Sequence, residues 1–297
     1  MFFSIWLGII LSVGQTGCST TNHGAPTPVA YAPLTEARYG AAVAPAGPSA
    51  PARGLRNLDS SMVPKVPPPG AKVVYNSIHT SEPYIALTFD DGPHVTNTPR
   101  LLDMLRDRNI KATFFVVGKC AQEYPHLIRR ILAEGHEIGN HTWTHRSLPT
   151  LSEASAHDEL VKTAKAVEDA SGYHIRVMRP PYGATNLRLK KTCYDDFGYP
   201  TILWDVDPFD WKRPGASVVK SRILAGTRPG SIILCHDIHQ QTIDAMPDTL
   251  DTLLSKGYRF VTVSQLLNLE AAGAAQAANT VPQPAATAFE PMAQTGL

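Results

Sequence analysis

The stretch Tyr84-Ile85-Ala86-Leu87-Thr88-Phe89-Asp90-Asp91-Gly92-Pro93 decides how the rest of the chain is read. Its apolar run carries strand character into two adjacent carboxylates, and Gly92-Pro93 then turns the chain. Side chains on a strand alternate between faces, so neighbouring aspartates inside a strand point opposite ways. At a strand end that runs into a turn, both can converge on one site. Two like charges held close resist joint ionisation unless a cation or an arginine offsets them. The pair therefore asks for a positive partner, and the chain downstream offers several.

Beyond the turn, strand and helix signals alternate. Thr98-Pro99 supplies an N-cap and a proline at the first helical position, with Leu101, Leu102 and Leu105 on one face. Residues 112–117 read as a buried strand. A helix bearing Leu127, Ile128, Ile131 and Leu132 closes at Gly135. Ser152 caps a longer helix that passes Leu160, Val161, Ala164 and Val167 to reach Gly172. Further strands are expected over 176–178, 201–204, 231–235 and 260–263, and a helix over Leu250, Leu253 and Leu254 before Gly257. Strands without alternation, set between helices, predict parallel pairing buried on both faces. With about seven such units the expected fold is α/β, a distorted (β/α) barrel of parallel strands, with its chemistry at their carboxyl ends.

The flanks differ in kind. Residues 2–13 form a short apolar block that resembles the core of a secretory signal more than a spanning helix. No Lys or Arg precedes Arg38, and Gln15 stands where a lipoprotein signal usually has Leu. Cys18 between Gly17 and Ser19 nevertheless resembles a bacterial lipoprotein acylation site, which implies membrane anchoring there. The expected organisation is a signal over 1–18, a Pro/Ala-rich linker over 19–75, the folded domain over 76–270 and a disordered tail over 271–297. Such a chain is exported, secreted or tethered. Cys18, Cys120, Cys193 and Cys235 show no metal-ligand spacing and predict no disulfide framework, and Cys235 is expected to face the core. Hydrophobic residues make up 43% and charged ones 18%, as suits a globular protein, and the net charge of +1 argues against a nucleic-acid partner.

The polar residues fall after the strands. His141-Thr142-Trp143-Thr144-His145 sets two imidazoles four residues apart, on a helical turn or in a tight loop. Thr142 replaces the glutamate of the zinc-protease helix motif. With a carboxylate the pair becomes a two-His-one-carboxylate set that leaves positions open for water and substrate. Such a set suits Zn2+ best, with Co2+ or Ni2+ as substitutes by ligand type. Arg179-Pro180-Pro181-Tyr182-Gly183, Asp205 through Trp211, and Ile233 through His239 each follow a predicted strand.

The ordered set TFDDGP, HTWTH, RPPYG, DPFDW and ILCH resembles the NodB-homology polysaccharide deacetylases, carbohydrate esterase family 4, over roughly 76–270. The run from His236 to Thr242 resembles its peptidoglycan N-acetylglucosamine deacetylase branch. The resemblance implies that Asp91, His141 and His145 bind the metal and that Asp90 is the general base, oriented by Arg179. It implies that the Tyr182 backbone N–H meets the oxyanion and that His236 is the general acid, tuned by Asp210, with Asp205 and Asp207 close by as alternatives. Leu234, Trp211 and Pro181 would shape the acetyl pocket. The implied activity is metal-dependent N-deacetylation of GlcNAc in a cell-wall polysaccharide, outside the cytoplasm. Its rivals are deacetylation of chitin oligomers, N-acetylmuramic acid or an exopolysaccharide, esterase action on O-acetyl xylan, or a wall-binding module without turnover.

Overall fold

The computed structural model describes residues 72–280, with side chains through residue 271. The expected signal, Cys18, the linker through residue 71 and the tail from 281 lie outside the described residues.

Seven strands are present among the described residues: β1 (Val74–Tyr75), β2 (Tyr84–Asp90), β3 (Thr113–Val116), β4 (Glu137–Asn140), β5 (Thr201–Ile202), β6 (Ile232–His236) and β7 (Arg259–Phe260). All pairings between them are parallel. The order is β4-β3-β2-β6, with β7 joined to the first residues of β2. The opposite wall is thin. It consists of the β1–β5 pair and single bridges at Asn140–Met178, Met178–Thr201 and Val206–Ile233. Through these the ring closes from β4 back to β6, and the expected distorted barrel is the architecture.

The thin wall has local causes. The strand expected at 176–178 keeps only the Met178 bridge, because Pro180 and Pro181 follow and offer no N–H to a ladder. The strand expected at 201–204 stops at Ile202. Farther along, the Asp205 carboxylate accepts the Ile232 N–H at 2.8 Å, so a side chain takes a position that a ladder carbonyl would fill.

Eight α-helices among the described residues cover the strands: α1 (Asn97–Asp107), α2 (Gly118–Glu123), α3 (Pro125–Ala133), α4 (Glu153–Ser171), α5 (Leu187–Phe197), α6 (Ala216–Gly226), α7 (Gln240–Ser255) and α8 (Val263–Thr280). Ser152 caps α4 by accepting the Ser155 N–H, and Gly172 closes it in the left-handed conformation that glycine adopts without a Cβ clash (φ 70°). On β2 the alternation is plain. Ile85, Leu87 and Phe89 face the large core beneath the helices, while Ala86 joins the smaller core inside the barrel with Phe115, Val177, Ile202 and Ile232. Asp90 shares the inward face of Ala86 and therefore points into the barrel mouth.

Both domain boundaries differ from those expected. Val74–Tyr75, placed in the linker, is β1, and residues 271–280, placed in the tail, continue α8. The two ends meet in an ion pair, Lys72 Nζ to Glu270 Oε1 at 3.2 Å. Only β7, at 259–260, remains of the strand expected over 260–263. Val263 already opens α8, where Glu137 of β4 accepts the Ser264 N–H at 3.1 Å and the Ser264 hydroxyl. Glu137 comes from a distant strand, but the helix start also has a local capping box that is legible in the sequence: Thr262 Oγ1 accepts the Gln265 N–H at 3.3 Å and Gln265 Oε1 accepts the Thr262 N–H at 3.0 Å.

Candidate active site

Asp90 ends β2 and Asp91 begins the turn, with Asp91 at φ 73°. A left-handed conformation in a non-glycine residue costs on the order of 1–3 kcal/mol. Here it breaks the strand's alternation and swings both carboxylates to one side. Asp90 Oδ2 and Asp91 Oδ1 lie 3.6 and 3.4 Å from His141 Nε2, and Asp91 Oδ1 lies 3.1 Å from His145 Nε2. The two imidazoles sit in a loop, not on a helical turn, with Thr142 at φ 66° and His145 at φ 57°. Their ring centroids are 5.0 Å apart.

These residues fit a divalent cation. The ligand atoms of Asp91, His141 and His145 lie within 4.8 Å of one another. Asp91 Oδ1 is buried yet closes no hydrogen bond, an orphaned acceptor facing two nitrogens. His141 Nδ1 is 2.7 Å from the Arg179 carbonyl, which can only accept, so Nδ1 carries the proton and Nε2 is left bare as a ligand. Burial disfavours the charged form of His141, but the Asp90 and Asp91 carboxylates outweigh it and raise its pKa. Burial and the neighbouring His141 lower the pKa of His145. Burial works against the Asp91 anion too, yet the close approach of His141, with His145, holds its carboxyl far below the usual range. The cluster draws positive charge to its centre.

Arg179 lies behind Asp90 and is fully buried. Its Nη1 donates to Asp90 Oδ1 and to Thr88 Oγ1, both at 2.7 Å, and its Nε and Nη2 donate to the Ile202 and Leu203 carbonyls. The guanidinium also lies over the Phe115 ring, 4.2 Å from its centroid. Burial lowers the pKa of Arg179 from its usual value, opposed by Asp90. Thr88, not anticipated from the sequence, donates its hydroxyl to Ile233 O at 2.6 Å and accepts from the arginine, tying β2 to β6.

On the other side stands His236, paired in register with Asp90 across β2 and β6. Its Nδ1 is 2.8 Å from Asp210 Oδ1, and its N–H donates to Asp210 Oδ2 at 2.7 Å. Asp210 is fully buried and also accepts from Thr242 Oγ1 at 2.8 Å and the Trp211 N–H at 2.9 Å. The alternatives are engaged elsewhere. Asp205 accepts from Ser231, Ile232 and Arg228 at the barrel wall, and Asp207 caps its own turn through the Phe209 N–H. Burial opposes charge on His236, but the hydrogen bond and charge of Asp210, reinforced by Asp90 and Asp91, lift its pKa to about 9.

The remaining predicted residues line the mouth. Leu234 and Pro181 are buried, while Trp211 is 48% exposed. Tyr182 has φ 62°, its exposed ring packs edge-on against His145 at 4.8 Å, and Pro180 and Pro181 hold the turn that presents its backbone. Sequence reasoning gave no role to Asp237. Its carboxyl is fully buried behind the turn, accepts the Thr98 hydroxyl, and is pushed up to about 7 chiefly by burial. A Cβ at Gly92 would lie 2.6 Å from Asp237 Oδ2, so the glycine of the turn is a packing requirement. Phe209, another exposed ring near Trp211, was also overlooked. Cys120, Cys193 and Cys235 are free thiols, and Cys235 is buried in the core behind the site.

A barrel mouth that sets two histidines and an aspartate between an arginine-held carboxylate and an aspartate-held histidine is the arrangement of a metal-dependent hydrolase. Residues 77–202 match the family described as polysaccharide deacetylase. The chain is 42% identical over 212 residues to the peptidoglycan-N-acetylglucosamine deacetylase PgdA of Listeria monocytogenes, covering 71% of this chain and 45% of that protein. It is 39% identical over 195 residues to a peptidoglycan-N-acetylglucosamine deacetylase of Bacillus cereus, covering 64% of this chain and 91% of the relative. The crystal structure of the Bc1960 peptidoglycan N-acetylglucosamine deacetylase superposes with a TM-score of 0.64 at 35% identity, covering 66% of this chain and 92% of the other. This chain belongs to the polysaccharide deacetylase family. It spans less than half the length of the Listeria relative.

Proposed function

We propose that this chain removes N-acetyl groups from GlcNAc residues of peptidoglycan, releasing acetate and leaving a free amine. The observation that carries the reading is the three-ligand cluster of Asp91, His141 and His145 set between Asp90 with Arg179 and His236 with Asp210. Zn2+ suits two imidazole nitrogens and a carboxylate best, and Co2+ or Ni2+ suits the same donors. A bound divalent cation polarises the acetyl carbonyl and lowers the pKa of water to about 7.

Asp90 takes the proton of the attacking water, and Arg179 fixes the oxygen that does not. The Tyr182 N–H donates to the oxyanion that develops on the carbonyl. An amine leaves poorly unless protonated, and His236, held charged by Asp210, donates that proton. Leu234, Trp211 and Pro181 wall the space for the acetyl methyl. The enzyme acts outside the cytoplasm, either released or tethered through Cys18. Among the described residues no helix is long and apolar enough to cross a membrane.

The test is to incubate the purified chain and zinc with peptidoglycan, digest the product and analyse the fragments by mass spectrometry. Acetyl loss from GlcNAc is expected. Acetyl loss confined to muramic acid would overturn the sugar assignment. Absence of acetate from both glycan strands and chitin oligomers would make the chain a binding module.

A further inference from the structure

The loop that carries both imidazoles, residues 141–145, has no regular structure of its own, and Thr142 and His145 hold left-handed conformations that their side chains disfavour. Such a loop keeps its shape only if its surroundings impose it, and three elements do. The first amides of α2 donate to it, Gly118 N to Thr142 O at 2.9 Å and Lys119 N to Trp143 O at 3.2 Å. Asn140 Oδ1 accepts the Thr142 N–H at 2.9 Å. The third support comes from α4. Glu159 accepts the Thr144 N–H at 2.7 Å with one oxygen and the Thr144 hydroxyl at 2.6 Å with the other.

Glu159 is only 8% exposed, and no cationic side chain pairs with it among the described residues. A buried carboxylate without a counter-charge is costly unless its oxygens are well satisfied. Here both are committed to one residue, and that residue immediately precedes His145. Thr144 anchors the direction in which the backbone enters His145, and so the 3.1 Å approach of His145 Nε2 to Asp91 Oδ1. We infer that Glu159 is a positioning residue for the metal loop, setting its affinity for the cation without touching the cation. The inference rests on the reading that Asp91, His141 and His145 hold the metal. Groups that orient a ligand in this way are worth about 10–100-fold in metal affinity.

The experiment measures the affinity of the purified full chain for Zn2+ alone by competition with a chromophoric chelator. The melting temperature of each metal-free protein is recorded beside it. Glu159→Ala is expected to weaken zinc binding about 10–100-fold. Glu159→Gln can still accept the Thr144 N–H and can donate its amide to the Thr144 hydroxyl, so it is expected to recover most of that loss. A carboxylate that merely supports the fold would lower the metal-free melting temperature and leave the zinc affinity of the folded protein unchanged. Thr144→Val deletes only the hydroxyl and carries the test if Glu159→Ala does not fold, with a smaller weakening expected. Unaltered zinc affinity in the folded variants, or equal losses for Ala and Gln at Glu159, would overturn the inference. Wild-type protein that binds no zinc would instead overturn the metal reading itself, and that is seen before any variant is made.

Discussion

Two buried carboxylate–cation pairs flank the ligand cluster, and they are built to opposite ends. Asp90 is joined to Arg179, whose guanidinium stays charged at any working pH, and although both are buried the carboxylate is the member that faces the ligand cluster. Asp210 is joined to His236, where the carboxylate is fully buried and the imidazole is the member that reaches the mouth. In the proposed mechanism one pair would offer a base whose partner cannot titrate, and the other an acid whose partner keeps it protonated. On the proposed reading the same chemical couple serves opposite proton transfers because opposite members face the ligand cluster.

The largest effects should come from removing the member of each pair that faces the ligand cluster. Asp90→Asn and His236→Ala are each expected to lower turnover on the order of 10²–10⁴-fold, with zinc still bound by direct metal analysis. The two should separate on an activated ester, whose leaving group needs little protonation. His236→Ala should then lose much less than Asp90→Asn, and equal losses on amide and ester would dissolve the assignment of His236 as acid.

Removing the buried partner should separate the pairs through stability. Arg179→Met leaves Asp90 buried beside the unfilled acceptors of Thr88, Ile202 and Leu203. Breaking such a pair costs about 3–5 kcal/mol, readable by urea denaturation of the metal-free protein. Asp210→Asn should cost less, since His236 can shed its proton and remain neutral.

The mark of Asp210→Asn is expected in the pH profile. With the pKa of His236 raised to about 9, the acid is protonated below that value and lost above it. Removing the Asp210 charge removes the main support of the imidazolium while burial still opposes it. The alkaline limb of the activity should move to lower pH, by about one to two units. A limb that stays in place would mean that another group sets it. The smallest effect is expected from Thr242→Val, which deletes one hydrogen bond to Asp210. About 1 kcal/mol of stability and a lesser shift of the same limb should follow, checked by melting and by the profile.

Much of this site was legible because its causes are short in sequence. A strand running into Asp90-Asp91-Gly92-Pro93 announces carboxylates at a strand end, and His141 and His145 announce a shared ligand loop through spacing alone. Asp210 was not separable from Asp205 and Asp207, since all three follow the same strand within a few positions. Neither Thr88 nor Glu159 carries a signal, because a threonine inside a strand and a glutamate on a helix read as ordinary members of those elements. At the boundaries, Val74–Tyr75 is too short to show a pattern, whereas α8 starts at a Thr262–Gln265 capping box that is legible in the sequence, and only the reinforcing Glu137 contact comes from 127 positions away.

The sequence by itself determined a parallel α/β architecture, the strand ends at which chemistry gathers, and the residue types that hold a metal. These follow from alternation, capping and ligand spacing, which act between neighbours in the chain. Only the tertiary structure decided which charge each group meets. Arg179 reaches Asp90 across 89 positions and His236 reaches Asp210 across 26, and both pairs exist because closing the barrel brings distant strand ends to one mouth. In that low-dielectric setting a partner's identity sets the proton affinity, and a partner is a property of the fold.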